Sequence, residues 1–459
     1  MKKDTICAIS TPLGISGIGI IRISGPDTYR IIGKIFRPAK RTIKISEVKT
    51  HTVYYGHIVD GERIIDEVLI TVMKKPRSYT REDMAEIGCH GGLIPLKEVL
   101  SLCMKNGARQ AEPGEFTKRA FLNGRIDLIQ AESILEIIYS KTEKSLEIST
   151  QKLKGSFSSA LAEIRTMLFK VISDIEAKIN FPEEEDVKTC NTEILSETER
   201  IISYIDSILS RAGKGKILHQ GINVAIIGRA NAGKSSLLNA LLREERAIVT
   251  EIPGTTRDIL QEMINIRGIP VNIIDTAGIR KVRGKIEKMG IKKALEWMEK
   301  AEINLIVLDG NKKLNEYDHQ LLNYIKDKKN YILIINKKDL LQKIEKQYLQ
   351  KNFLNERIIY TSAKTGDGIE TLEEKIYSII QEGYGEKGDE IFLNIRQEGK
   401  IKEIREILMD TKQNVIKGVT IDIISEYLKR CIRKTDELIG KNISDEILNQ
   451  IFSQFCIGK

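Results

Sequence analysis

No stretch of this chain approaches the roughly 18 uninterrupted apolar residues of a membrane-crossing helix, so no membrane span is expected. Nor is a leader expected. Met1-Lys2-Lys3-Asp4-Thr5 runs straight into a strand-like segment, without a long apolar signal core or an Arg/Ser-rich amphipathic stretch. The expectation is a mature, cytoplasmic protein that begins here. The 6 cysteines (7, 89, 103, 190, 431 and 456) form no C-x-x-C pair, and the 5 histidines show no metal-ligand spacing. Reduced, mostly buried thiols are therefore expected, and a zinc site is not. Only 9 of 459 residues are proline, while 41% are hydrophobic and 30% charged, an ordinary composition for a globular protein. The length predicts roughly two to four domains, each large enough to bury its own core. The net charge of +9 permits a polyanionic partner such as RNA, and equally a lysine-rich solvated surface.

What is present divides the chain. Residues 1–119 read as β-rich. Ile6-Cys7-Ala8-Ile9-Ser10 is a short apolar run, Thr11–Gly19 a loop, and Ile20-Ile21-Arg22-Ile23-Ser24 a second strand. Val53, Tyr55, His57 and Val59 alternate with other residues, as do Val68, Ile70 and Val72, whereas Leu93–Leu102 reads as helix. Over 120–216 the period becomes helical. Leu161, Ile164, Leu168, Val171, Ile175 and Ile179 form one apolar stripe, ended by Phe181-Pro182. Gly213-Lys214-Gly215-Lys216 reads as a flexible joint. Residues 217–381 alternate strand and helix, with apolar runs at Val224–Ile227, Val271–Ile274, Ile303–Leu308, Tyr331–Ile335 and Ile358–Tyr360. That pattern predicts a doubly wound, mainly parallel sheet. Gly383–Gly388 reads as the exit joint, and 382–459 returns to helices. The expected architecture is multidomain α/β and α, with the doubly wound unit inserted into a helical domain.

The inserted unit carries the chemistry. Gly228-Arg229-Ala230-Asn231-Ala232-Gly233-Lys234-Ser235-Ser236 matches G-x-x-x-x-G-K-[ST], between a buried strand and a helix start. Its glycines let backbone N–H groups converge on phosphate oxygens, where a helix N-terminus adds positive potential. Lys234 would reach the β- and γ-phosphates, and Ser235 would ligate Mg²⁺. Thr250-Glu251-Ile252-Pro253-Gly254-Thr255-Thr256 supplies threonines suited to a switch loop that orders on a triphosphate. Asp275-Thr276-Ala277-Gly278 follows a strand and suits Mg²⁺ and γ-phosphate contact. In Asn336-Lys337-Lys338-Asp339 the carboxylate of Asp339 offers two acceptors to the N1–H and 2-amino donors of guanine. Ser362-Ala363-Lys364 completes a base loop. Each tetrapeptide alone is weak, because such residues are favoured after strands. Their order and spacing together predict a GTP-binding domain. Ile279 stands where a glutamine often orients the attacking water. Glu287, the only acidic residue from Ile279 to Leu295, is either that water's carboxylate or an exposed helix glutamate.

With these motifs, the final Phe455-Cys456-Ile457-Gly458-Lys459, and the blocks Gly19–Gly25, Ser78–Asp83 and Pro113–Asp127, the chain resembles the MnmE (TrmE) family of tRNA-modification GTPases along essentially its whole length. The resemblance implies an N-terminal folate-binding domain over 1–119 that homodimerises. It also implies a helical domain over 120–216 and 382–459, and a Ras-like G domain over 217–381. An MnmG (GidA) flavoprotein partner is implied, in a heterotetramer acting on tRNA. The chemistry would be C5 aminomethyl or carboxymethylaminomethyl modification of wobble uridine, with 5,10-methylene- or 5-formyl-tetrahydrofolate. By the same resemblance Asn231, Thr250, Ile252 and Thr255 match a K⁺ shell, Ser235 and Thr256 match Mg²⁺ ligands, and Glu287 matches the water-orienting glutamate. Arg22, Glu82, Arg125 and Lys459 match folate contacts. Ala230 replaces a usual proline and Arg125 a common lysine, which changes its hydrogen-bond geometry. Cys456, between Phe455 and Ile457, reads as a small buried apolar group. Two other readings remain: a ribosome-assembly GTPase acting as an RNA-binding switch, and a stand-alone folate aminomethyltransferase. The first usually carries a KH-type G-x-x-G loop that the C-terminal helices lack, and the inserted G domain argues against the second.

Overall fold

The computed structural model describes residues 4–40, 45–180, 187–242, 261–275, 294–384 and 390–459. Two compact units are present: Met1–Leu135 with Lys152–Ile194 and Asp410–Lys459, and Glu136–Gln151 with Leu195–Met409.

The first unit is built on a seven-stranded sheet. Its strands are β1 (Ile6–Ile9), β2 (Ser16–Ser24), β3 (Phe36–Pro38), β4 (Thr52–Asp60), β5 (Arg63–Met73), β6 (Met84–Gly91) and β7 (Arg109–Gln110), in the order β3-β4-β5-β6-β2-β1-β7. All neighbours are antiparallel except β1 and β7. Successive strand side chains alternate between faces. Ile21, Ile23, Val68, Ile70, Val72, Ala85 and Ile87 thus point into one core with helices Thr28–Ile35 and Leu93–Lys105. Arg22, Ser24 and Glu86 fall on the opposite face. β2 starts earlier than expected, because Ser16 pairs with Gly91 across a bulge before Gly19. β6 and helix Glu115–Leu122 carried too little periodicity to be seen, the apolar pattern of β6 being interrupted at Gly88 although the strand runs through it. In the same unit helix Ser156–Asn180 packs along Ile421–Ile439. Arg165 Nε donates to Asp436 Oδ1 at 3.0 Å across that packing.

The second unit holds β8 (Ile222–Ile227), β9 (Gln261–Ile266), β10 (Ile269–Asp275), β11 (Ile303–Asp309), β12 (Tyr331–Asn336) and β13 (Ile358–Tyr360), in the order β13-β12-β11-β8-β10-β9. Only β9, an edge strand that the sequence pattern did not reveal, is antiparallel. β11 and β12 are buried along their length because helices cover both faces of a parallel sheet. The expected joint at 213–216 is not a joint. It lies inside one helix, Val187–Gln220. Gly215 serves there as a contact point, since a Cβ would run into the Ile391 carbonyl, and His219 stacks on Phe392 at 4.0 Å. Helix Ile369–Tyr384 likewise runs into the expected exit joint, of which 385–389 lie outside the described residues. No described helix is long and apolar enough to cross a membrane.

Candidate functional site

Strand register gathers the nucleotide motifs. Ile306 pairs with Ile227, Ile226 with Asp275, and Asp309 with Asn336, so the carboxyl ends of β8, β10, β11 and β12 share one edge. Sheet order reverses at β8, which places Gly228–Ser236 at the switch point where doubly wound sheets bind ligands. Backbone crowding explains the loop's glycines. A Cβ on Gly228 would strike the Val307 carbonyl, and Gly233, at φ +97°, lies against the Asn336 amide. Asn231 is left-handed too, at φ 62°, a conformation its short polar side chain tolerates better than most.

Hydrogen bonds brace the loop from behind. Asn336 Nδ2 donates to the Ala232 carbonyl at 3.0 Å, and Lys337 Nζ to the Asn231 carbonyl at 2.9 Å. Lys337 also pairs with the buried Asp309 carboxylate at 2.7 Å. Arg229 Nη1 reaches Asp318 Oδ2 at 3.1 Å, where burial pushes the Asp318 carboxyl above the usual carboxylate range despite that cation. Lys234 Nζ donates to the carbonyls of Gly228 and Arg229, at 2.7 and 2.9 Å, and so stands over the loop. On the base side, Ser362 Oγ donates to Asp339 Oδ1 at 2.7 Å and Ala363 N to Asn336 Oδ1 at 3.1 Å. Asn231, Ala232, Gly233, Lys234, Ser235, Asn336, Lys337, Asp339, Ser362 and Ala363 therefore belong to one neighbourhood. Ser236 and Lys364 are exposed beside it. Thr250 to Thr256, Thr276, Ala277, Gly278 and Glu287 lie outside the described residues, as does the Asp275 side chain.

A second cluster forms on the outer face of β2. Arg22 donates to Glu86 Oε1 from Nε and Nη2, at 2.9 and 2.7 Å, and from Nη1 to the Gly458 carbonyl at 3.0 Å. Its guanidinium stands 5.4 Å from the Tyr79 ring centre, and that of Arg125 stands 4.7 Å from the same ring. The C-terminal residues dock here. Phe116 N donates to the Lys459 carbonyl at 3.1 Å, and Ser10 Oγ to that of Gly458 at 3.1 Å. Burial, helped by the Arg22 charge, holds the Lys459 ammonium below the usual lysine range. Arg22 is thus a partnered strand residue, and Lys459 is no frayed end. Glu82 stands apart from these three, accepting from Ser24 Oγ at 2.8 Å and Arg119 Nη1 at 3.2 Å. It lines a cavity of about 320 Å³ with Asp4, Arg109, Glu115, Lys118 and Arg119. Cys456, expected to be buried, is exposed: Phe455 and Phe452 fill the core and turn the thiol outward.

Asp309, Asp318, Glu86 and Arg119 went unread in the sequence. A solitary carboxylate or arginine has no spacing signature; only the strand-end position of Asp309, opposite Asn336, could have pointed to it.

The chain matches the family model for the GTP-binding protein TrmE N-terminus over residues 5–125, and that for the MnmE helical domain over 128–456. It is 43% identical over 466 residues to the tRNA modification GTPase MnmE of Carboxydothermus hydrogenoformans, covering 100% of both chains. To the protein of that name from Enterococcus faecalis it is 41% identical, over 100% of this chain and 99% of that one. To the one from Bacillus subtilis it is 40% identical, over 99% and 100%. Two family models joined almost end to end, and relatives alike over their full length, leave one conclusion: this chain is a member of the MnmE (TrmE) family of tRNA modification GTPases.

Proposed function

We propose that this GTPase couples potassium-stimulated GTP hydrolysis to C5 aminomethyl or carboxymethylaminomethyl modification of wobble uridine, with a flavoprotein of the MnmG (GidA) type. The one-carbon unit comes from 5,10-methylene- or 5-formyl-tetrahydrofolate. The observation that carries this reading is the placing of Arg22 and Arg125 on the Tyr79 ring, with Lys459 close enough to Arg22 to feel its charge. Clustered cations suit the glutamate carboxylates of a folate, and an aromatic face suits its flat rings. When bound, the folate would supply the carbon; Arg22, Arg125 and Lys459 would hold its carboxylates, and Tyr79 would offer its rings an aromatic face.

Asp339, steadied by Ser362, selects guanine, and Lys234 neutralises β- and γ-phosphate charge. Glu287 orients the attacking water. The Ser235 hydroxyl makes no hydrogen bond among the described residues, which fits it, with Thr256, to Mg²⁺. The Asn231 carboxamide is equally free and exposed, which fits it, with Thr250, Ile252 and Thr255, to K⁺. When bound there, the ion would supply positive charge where other GTPases use an arginine finger. The N-terminal unit homodimerises, a reading supported by exposed Leu13 and Ile15 just before β2 and Ile18 within it, and the complex with the flavoprotein is a cytoplasmic heterotetramer.

The test is nucleoside analysis of tRNA from cells whose only copy carries Arg22→Ala. Wobble uridines should lack the modification while GTP turnover of the purified variant stays within twofold of the parent. Fully modified tRNA would sink the folate assignment.

A further inference from the structure

The segment Lys74-Lys75-Pro76-Arg77-Ser78-Tyr79-Thr80-Arg81 carries cations at 74, 75, 77 and 81 between β5 and β6. Lys75, Arg77 and Arg81 are exposed, as is Arg125, and none of them forms an ion pair among the described residues. The carboxylates close by are taken. Glu82 serves Ser24 and Arg119, Glu86 serves Arg22, and Asp83 Oδ1 accepts the Lys75 backbone N–H at 3.1 Å. Other surface cations divide: Lys34, Lys97, Lys329 and Lys351 are exposed and form no ion pair among the described residues, whereas others are paired. On helix Ile421–Ile439, Lys429 pairs with Glu176, Arg433 with Glu426 and Lys434 with Glu437.

The loop is also held in shape. Arg77 N donates to the Lys74 carbonyl at 3.0 Å, and Ser78 Oγ to that of Glu82 at 2.6 Å. Arg81 sits at φ 58°, a left-handed backbone that is strained for a residue with a Cβ. Its Nη1 donates to the Asn123 carbonyl at 3.0 Å, beside Arg125 on the Tyr79 ring. Lys75, Arg77 and Arg81 are exposed at three positions of this one loop, and Arg81 reaches Asn123, two residues before Arg125. That spacing fits a chain of phosphates better than a single small anion, and arginine forks bind phosphate oxygens two at a time.

We propose that Lys75, Arg77 and Arg81 form a phosphate-contacting surface that seats the anticodon arm of a tRNA beside the Tyr79–Arg125 cluster. This rests on the wobble-uridine reading above, because it brings the RNA to the one-carbon site. The rigid loop lowers the ordering cost of docking, and release of counterions from the RNA drives it.

The test is titration of the full-length protein with a fluorescently labelled tRNA bearing a wobble uridine, over a series of KCl concentrations. The Lys75→Glu/Arg77→Glu double variant should bind at least tenfold more weakly and show a shallower salt dependence. Arg81→Gly removes a cation while relieving the left-handed backbone, so it should weaken binding without lowering the melting temperature. Lys97→Glu, a charge change of the same kind on helix Leu93–Lys105, should bind like the parent. GTP turnover should be the same in all. Affinity within twofold of the parent in both loop variants, or an equal loss in Lys97→Glu, would overturn the proposal alone. A parent that fails to bind tRNA even at low salt would overturn the wobble-uridine reading together with it.

Discussion

At the scale of single residues, the P-loop is shaped as much by what stands behind it as by its own glycines. Lys337 ties the Asn231 carbonyl to Asp309, whose side chain is 1% exposed. Asp309→Asn keeps the shape but removes the charge that offsets a part-buried ammonium. Hydrogen bonds between charged groups are worth about 1.5–3 kcal/mol, so nucleotide affinity should fall roughly tenfold or more. Titration with a fluorescent GDP analogue measures this, and unchanged affinity would show that Lys337 finds its place without Asp309. The glycines and Lys234 were legible because phosphate chemistry demands them at fixed spacing. Asp309 was not, because its partner lies one strand away and any buried acidic residue would read the same. Asn231 carries a separate expectation. Its exposed carboxamide on a left-handed backbone suits a monovalent ion, so GTP turnover should be at least tenfold higher in KCl than in NaCl, and Asn231→Ala should erase that difference. Equal rates of the unaltered protein in the two salts would exclude the K⁺ assignment.

Among the elements, those with a strong period were legible and those set by close approach were not. The buried strands β8, β11 and β12 announced themselves as apolar runs, and helix Ser156–Asn180 by its stripe. The glycines at 213 and 215 misled, because helix propensity disfavours glycine, whereas at 215 a close backbone crossing requires it and at 213 a Cβ would meet open space. The C-terminal segment repeats the lesson. Gly458 sits at φ +94°, where a Cβ would lie 2.5 Å from the Ile9 carbonyl. Gly458→Ala should therefore lift Lys459 off β2, and 5-formyl-tetrahydrofolate should bind about as weakly as it does to Lys459→Ala. Calorimetric titration of the two variants decides this. Parent-like affinity in Gly458→Ala would show that the backbone shifts to accept the methyl group.

On the scale of the molecule, the sequence motifs account for the chemistry, while charge accounts for how the N-terminal unit is stapled together. Arg119, with a side chain 7% exposed, ties its own helix, where it also pairs with Glu115, to two distant segments through Asp4 and Glu82, and Arg109 ties Asp4 to Glu115 again. Burial alone would raise both the Asp4 and Glu115 pKa values. Hydrogen bonds from Arg109 and Arg119 outweigh it, and both carboxyls sit below their ordinary values of 3.8 and 4.5. A carboxyl that ionises more readily when folded stabilises the fold above its unfolded pKa and loses that contribution as pH falls through the lowered one. The network should therefore be intact above pH 4.5 for Glu115 and 3.8 for Asp4, and should fail on further acidification. Glu115→Gln isolates the charge. The variant should melt below the parent at pH 7, and the gap should narrow as pH falls and the parent's own carboxylate takes up a proton. A gap of the same size at pH 7 and pH 3 would mean that the glutamate acts through shape and packing, and that the arginines hold these segments without its charge.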